Sequence, residues 1–254
     1  MKLQLATWPD IRDYLQRCDA LVIPIGSTEQ HGPTGLIGTD AICPEHIAGG
    51  MAEQGVLVTP TLSIGMAQHH LRFPGSITLR PTTLMAVIRD VVTSLASQGF
   101  RRFLVLNGHG GNIATVHAAF ADLYADASLA GEDSELVLEL FNWFQGERVG
   151  AVSRELFADA EGSHATPSEI SLTWHAYPDA ERQAPMTPER APTGPIRDAA
   201  DYRRRFADGR IGSDPSLASR AHGERLYRAG LEDAMARWQA LLAASSVRRP
   251  FSDP

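Results

Sequence analysis

Apolar positions follow two rhythms along this chain. Ala20 to Ile25 and Phe103 to Leu106 are short uninterrupted runs, each followed closely by glycine and polar residues, as in strands buried on both faces. Val56 to Thr59 and Leu136 to Phe141 read as two further strands. Between them the period lengthens to that of a helix. Ile42, His46, Ile47 and Met51 share one side of a helix over Ala41 to Gln54, with Asp40 positioned to cap it. Pro81 opens a helix carrying Leu84, Val87, Ile88, Val91, Val92 and Leu95 on one side and stopping at Gly99. Ile113 to Ala125, Ser168 to His175 and Glu224 to Ala244 complete the helices. Strands alternating with helices predict an α/β fold with a mostly parallel sheet covered on both faces.

The rhythm fails over 178–216, where Pro185, Pro188, Pro192, Pro195 and Pro215 break any period. The chain therefore reads as one domain over 1–254 with a long irregular loop at 178–216, a candidate lid, interface arm or connector. Composition adds exclusions rather than detail. With 23 Lys+Arg against 30 Asp+Glu, the net charge of -7 argues against a nucleic-acid partner. No apolar run approaches the roughly 20 residues that cross a bilayer, and the start has no secretion-signal pattern. Cys18 and Cys43 make no CxxC pair, so a reducing, cytoplasmic location is expected.

Three polar clusters carry the chemistry. Gly26-Ser27-Thr28-Glu29-Gln30-His31-Gly32 follows the first strand directly, at the end where α/β sheets place ligands. In extended backbone Glu29 and His31 project to the same side, and Asp40 follows after a Gly/Pro-containing loop. Such a mixed carboxylate and imidazole set suits Zn, Mn or Fe. Asn107-Gly108-His109-Gly110-Gly111-Asn112 also leaves a strand, so His109 is expected on the same sheet edge. The rival for these glycines is a nucleotide- or phosphate-binding loop, but the spacing fits neither GxGxxG nor GxxxxGK[ST]. In the third cluster His164 precedes Glu169, which lies near a helix start. His69, His70 and Arg72 sit in a loop expected to meet substrate, where Arg72 suits an anionic group.

These motifs, with Thr39-Asp40, Phe73-Pro74-Gly75-Ser76, His164-x4-Glu169-x-Ser171 and Gly212-Ser213-Asp214-Pro215-Ser216, resemble the creatininase (creatinine amidohydrolase) family from about residue 8 to 240. The resemblance implies a three-layer α/β/α sandwich, a centre of two divalent metal ions and a homo-oligomer, often a hexamer. It implies a metal-dependent amidohydrolase cleaving a non-peptide C–N bond, a cyclic amide or formamide, of a small molecule. Carried over by position, Glu29, Asp40 and His109 hold one ion, while His31 and the bridging Asp40 hold the other. Creatininases complete the second site with a glutamate where this chain has Gly111; Glu169 is the candidate replacement. His164 is expected as acid/base, and the N–H groups of Gly110 and Gly111 as donors to the developing oxyanion. Trp143 matches one of two tryptophans that close over creatinine. The other falls at Ala160, so a different substrate is expected, and Gly111 leaves a degenerate, non-catalytic member as an alternative.

Overall fold

The computed structural model describes residues 1–244. Helix α1 (Trp8–Leu15) leads into strand β1 (Ala20–Ile25), followed by α2 (Thr39–Glu53) and α3 (Pro81–Ala96). Next come β2 (Arg102–Asn107), α4 (Ile113–Ala130), β3 (Val137–Asn142), α5 (Glu147–Phe157) and α6 (Pro167–Ala176). Helices α7 (Ala199–Arg205) and α8 (Arg220–Ala243) are the last among the described residues. The strands form a parallel sheet in the order β1-β2-β3, with Ile25 opposite Asn107 and Asn107 opposite Asn142 at their carboxyl ends.

Because side chains alternate along a strand, continuous apolar runs feed two cores. Ala20, Val22, Leu104 and Leu106 pack with Ile47 and Met51 of α2, Val149 of α5 and Leu226 and Trp238 of α8. Leu21, Ile23, Ile25, Phe103 and Val105 face Leu84 and Ile88 of α3 and Val116 and Phe120 of α4. Helices thus cover both faces of the sheet, giving the expected α/β/α sandwich.

The expected strand at Val56 to Thr59 is reduced to isolated bridges, Val58 with Lys2 and Val22, followed by Ile25 with Leu62. Pro24 explains the interruption. Val22 offers its N–H and carbonyl to this segment, through Leu57 O and Thr59 N, and Gly26 N–H reaches Leu62 O. Pro24 lies between them on the same edge; its carbonyl accepts Leu62 N–H, but it has no N–H of its own, so a rung is missing there and the ladder is interrupted. The chain therefore runs from β1 to a flanking segment on one side and then returns to β2 on the other. This reversal makes the carboxyl end of β1 a topological switch point, a position where such sheets bind ligands.

Two other expectations are corrected. Asp40 is not a helix cap: α2 begins at Thr39 behind Gly38, and Asp40 lies within its first turn. The 178–216 stretch is not wholly irregular, since it contains α7, whose first turn Asp198 caps by accepting from Asp201 N–H. The pattern reading also omits α1, despite its Thr7–Asp10 capping box, and α5. In α5 the capping carboxylate is distant: Asp233 of α8 accepts the Arg148 and Val149 N–H groups.

Candidate metal centre

Strand ends, a helix start and two glycines build this site. A side chain on Gly26, just after β1, or on Gly108, just after β2, would overlap the backbone carbonyl of Asp40. Only glycine lets the first turn of α2 lie this close to both strand ends. Asparagines tie the ends together. Asn107 donates to His109 O and to Asn142 Oδ1, and Asn112 donates to Gly26 O while accepting from Met66 N–H.

Glu29, His31, Asp40 and His109 are buried at this convergence. His31 Nδ1 lies 3.0 Å from Glu29 O. A carbonyl only accepts, so Nδ1 carries a proton and Nε2 points inward, 3.2 Å from Asp40 Oδ1, able to offer a lone pair once its own proton is released. His109 is arranged the opposite way. Its Nε2 donates to Met66 O at 2.9 Å, leaving Nδ1 turned inward, 2.9 Å from Asp40 Oδ2. That approach lacks hydrogen-bond geometry: Asp40 Oδ2 and Glu29 Oε1 are buried oxygens with no hydrogen-bond partner among the described residues. Ser27 Oγ donates to the other Glu29 oxygen at 2.7 Å. Glu169 caps its own helix by accepting Thr166 N–H and brings Oε1 to 3.9 Å from His31 Nε2.

Ligand atoms of Glu29, Asp40 and His109 lie within 4.8 Å of one another, as do those of His31, Asp40 and Glu169. A third such set joins Glu29, His31 and His164. Asp40 is shared by the first two. At Gly111 a side chain would run into His109 Nε2, so this chain has no room for a glutamate there without displacing His109. Glu169 occupies the neighbourhood instead.

Charge in this buried site is poorly balanced. Burial opposes ionisation of His31, yet Asp40, Glu169 and Glu29 outweigh it and raise its pKa to about 10. His109 likewise overcomes burial through Glu29 and Asp40 and reaches about 10. Burial, with Asp40 and Glu161, pushes Glu169 up to about 7. Burial also raises Glu29, whereas His31 and His109 overcome burial at Asp40 and hold it well below the usual carboxylate range. Inward ring nitrogens, orphaned carboxylate oxygens and a hard–borderline donor set fit divalent cations, which would displace the ring protons. Without a cation, the same carboxylates would repel a phosphate, which disfavours the nucleotide-loop reading.

The centre opens into a cavity of about 430 Å³ lined by His69, His70, Gly110, Gly111, Trp143, Phe144, Glu161, His164, Ile196 and Ile211 among others. A second cleft of the same volume, by Met1, His46 and Tyr227, contains none of the donors, so chemistry rather than size selects the site. Of the expected substrate groups, Gly110 and Gly111 form an exposed rim, while Trp143 is buried. His70 is also buried, with Nε2 3.0 Å from Glu29 Oε1. Arg72 is exposed and does not line the cavity. His164 Nε2 donates to Gln30 O at 2.8 Å, and its Nδ1 lies 3.8 Å from Glu29 Oε1. Burial, with His31 and His70, lowers its pKa well below the ordinary value. Sequence reading passes over Gln30 and Glu161. Gln30 could have been found from its place between two donors in the Glu-Gln-His run; Glu161 carries no comparable signal.

A family model described as creatininase, creatinine amidohydrolase, matches residues 4–237. The mycofactocin precursor peptide peptidase of Mycolicibacterium smegmatis is 27% identical over 237 residues, spanning 86% of this chain and 85% of that protein. Creatinine amidohydrolase of Pseudomonas putida is 27% identical over 245 residues, or 90% and 94% of the two chains. A solved structure described as the manganese form of creatininase superposes with a TM-score of 0.79 at 25% identity, covering 94% of this chain and 97% of its own.

Proposed function

The chain belongs to the creatininase family, and from that premise we propose that it is a metal-dependent amidohydrolase cleaving a non-peptide C–N bond of a small molecule. One observation carries the reading: two donor sets, buried except for half-buried Glu169, share Asp40. Glu29, Asp40 and His109 would hold one divalent ion, and His31, Asp40 and Glu169 the other, with Zn, Mn and Fe all suited to these donors. Such ions supply Lewis acidity for a carbonyl and lower the pKa of a water to about 7.

The remaining steps belong to side chains. His164 is held neutral by burial, with its proton on Nε2 and bonded to Gln30 O, so Nδ1 is the atom that accepts a proton. It then returns that proton to the leaving nitrogen. The N–H groups of Gly110 and Gly111, on the open rim, are the donors for the developing oxyanion. Trp143, Phe144, Ile196 and Ile211 give the cavity an apolar wall that excludes water and suits a planar amide. Creatinine is disfavoured because Ala160 stands where a second tryptophan is expected and does not line the cavity.

The test is a hydrolysis screen over creatinine, formamidopyrimidines, lactams and short peptides, with elemental analysis of the same protein. Turnover of a cyclic amide or formamide, abolished by chelator and restored by metal, is expected. Turnover confined to peptides would overturn the proposed substrate class. Fewer than one ion per chain in protein purified without chelator would overturn the metal assignment.

A further inference from the structure

Gln30 lies between the donors Glu29 and His31, and its own groups are nearly all engaged inside the protein. Its Oε1 accepts Gly32 N–H at 2.8 Å. Its Nε2 lies 2.9 Å from His70 Nδ1, 3.0 Å from Gly209 O, 3.2 Å from Tyr202 Oη and 2.9 Å from His164 Nε2. An amide nitrogen has two protons and no lone pair to offer. Donor–acceptor logic therefore resolves the network. The His164 Nε2 proton is committed to Gln30 O, so the contact between that nitrogen and Gln30 Nε2 faces donor to donor. Tyr202 already donates to Gly209 O at 2.7 Å. Its oxygen still accepts, so one amide proton goes to His70 Nδ1 and the other is shared between Gly209 O and Tyr202 Oη.

The geometry points to Gln30 as a positioning residue that fixes the proton positions of two histidines at once. Through its side chain it makes His70 Nδ1 an acceptor, which puts the His70 proton on Nε2, facing Glu29. Through its backbone carbonyl it puts the His164 proton on Nε2, leaving Nδ1 free on the side of Glu29. The same amide joins this pair to Gly209 and Tyr202, so the 202–209 segment is bonded to the strand-end motif through one side chain. Partners that orient ligating histidines contribute about 10–100-fold in affinity or activity, and His70 and His164, which face the ligand Glu29, are held by the same kind of bond. The inference rests on the hydrolase reading for its kinetic arm alone.

The test is ¹⁵N NMR of histidine-labelled, zinc-loaded protein, with His70 and His164 signals assigned by H70N and H164N. In the unaltered chain both rings are expected in the Nε2–H form. In Gln30→Glu, nearly the same shape, the side chain accepts instead of donating. His70 Nδ1 must then carry a proton, while His164, held by the backbone carbonyl, keeps its form. With a turnover substrate, kcat should fall at least tenfold, with KM within about twofold and metal content unchanged. Either ring in the Nδ1–H form in the unaltered chain would overturn the inference, and that spectrum decides even if the variant does not fold. A His70 signal unmoved in folded Gln30→Glu would also overturn it. Failure to find any substrate bears on the proposed function and leaves the spectral test intact.

Discussion

Asp40 belongs to both proposed ion sites, so conservative substitutions there and at Glu169 should have different stoichiometries. Asp40→Asn keeps the size of the side chain but halves its donor capacity, and both ions are expected to be lost. Glu169→Gln retains a group able to complete the capping box with Thr166, so helix α6 should persist while about one of two ions disappears. Elemental analysis distinguishes the cases; equal losses in the two variants would break the assignment of Glu169 to one site alone. Proton release gives a separate check. His31 and His109 hold protons up to about pH 10 in the metal-free chain, and a ligand nitrogen must give its proton up. Metal affinity should therefore rise with pH, and loading at pH 8 should release protons, seen as a buffer-dependent heat. The sign for folding follows from the same groups. Their raised pKa contributes stability to the metal-free fold that is complete below about pH 6.5 and is lost as pH rises through about 10. Asp40 acts in the other direction, its contribution being lost as the solution becomes acid. Chelated protein should thus melt progressively lower between about pH 7 and 10, more steeply than metal-loaded protein. Parallel curves would contradict it.

At the scale of elements, the site depends on how closely α2 approaches the ends of β1 and β2. Gly108→Ala places a methyl group onto the Asp40 carbonyl, with Pro44 also in the way. The expected cost is about 1–3 kcal/mol or more, lowering Tm by several degrees, together with lost metal as Asp40 shifts. Gly110→Ala enters open space and should change neither Tm nor metal content. Similar behaviour of the two variants would refute the packing argument. This dependence also shows what was legible before the structure. Strands such as Ala20–Ile25, buried on both faces, announce themselves as apolar runs, and the polar motifs that follow them must emerge at one edge. Glu29, His31, Asp40 and His109 could be grouped on that ground. The rest needed tertiary information. The ladder beside β1 fails at Pro24, which is visible only once the facing edge of the strand is known. Helix α5 is capped from α8 by Asp233, and the partners of the Gln30 amide nitrogen lie 40 to 179 residues away. Arg72 illustrates the converse, since proximity in sequence to His70 does not bring its side chain into the cavity.

Over the whole molecule, the segment read as an irregular excursion is bound to the site rather than hanging over it. Arg210 is fully buried and paired with Asp208 at 2.7 Å, and its guanidinium donates to the carbonyls of Pro188, Glu189 and Ser213. Its Cγ lies so close to Gly32 that a Cβ there would stand only 2.8 Å away, which seats the arginine against the strand-end motif. From the same stretch, Ile211 accepts Ser163 N–H and donates to His164 O, and Ser213 Oγ also donates to His164 O. The backbone of the proposed acid/base is therefore held by the excursion, and the arginine holds the excursion together. Arg210→Ala would leave the carbonyls of Pro188 and Glu189 without this donor and half-buried Asp208 without its counter-charge, an expected cost of about 1–3 kcal/mol. Lysine should recover only part of this, because a single ammonium cannot reproduce the planar fork that serves several carbonyls. These bonds lie away from the strands, so the expected damage is local. Hydrogen exchange should accelerate over 187–213 while β1 to β3 remain protected, and kcat should fall with both ions retained. Unchanged exchange over 187–213 in Arg210→Ala would show that the segment is held by something other than this arginine.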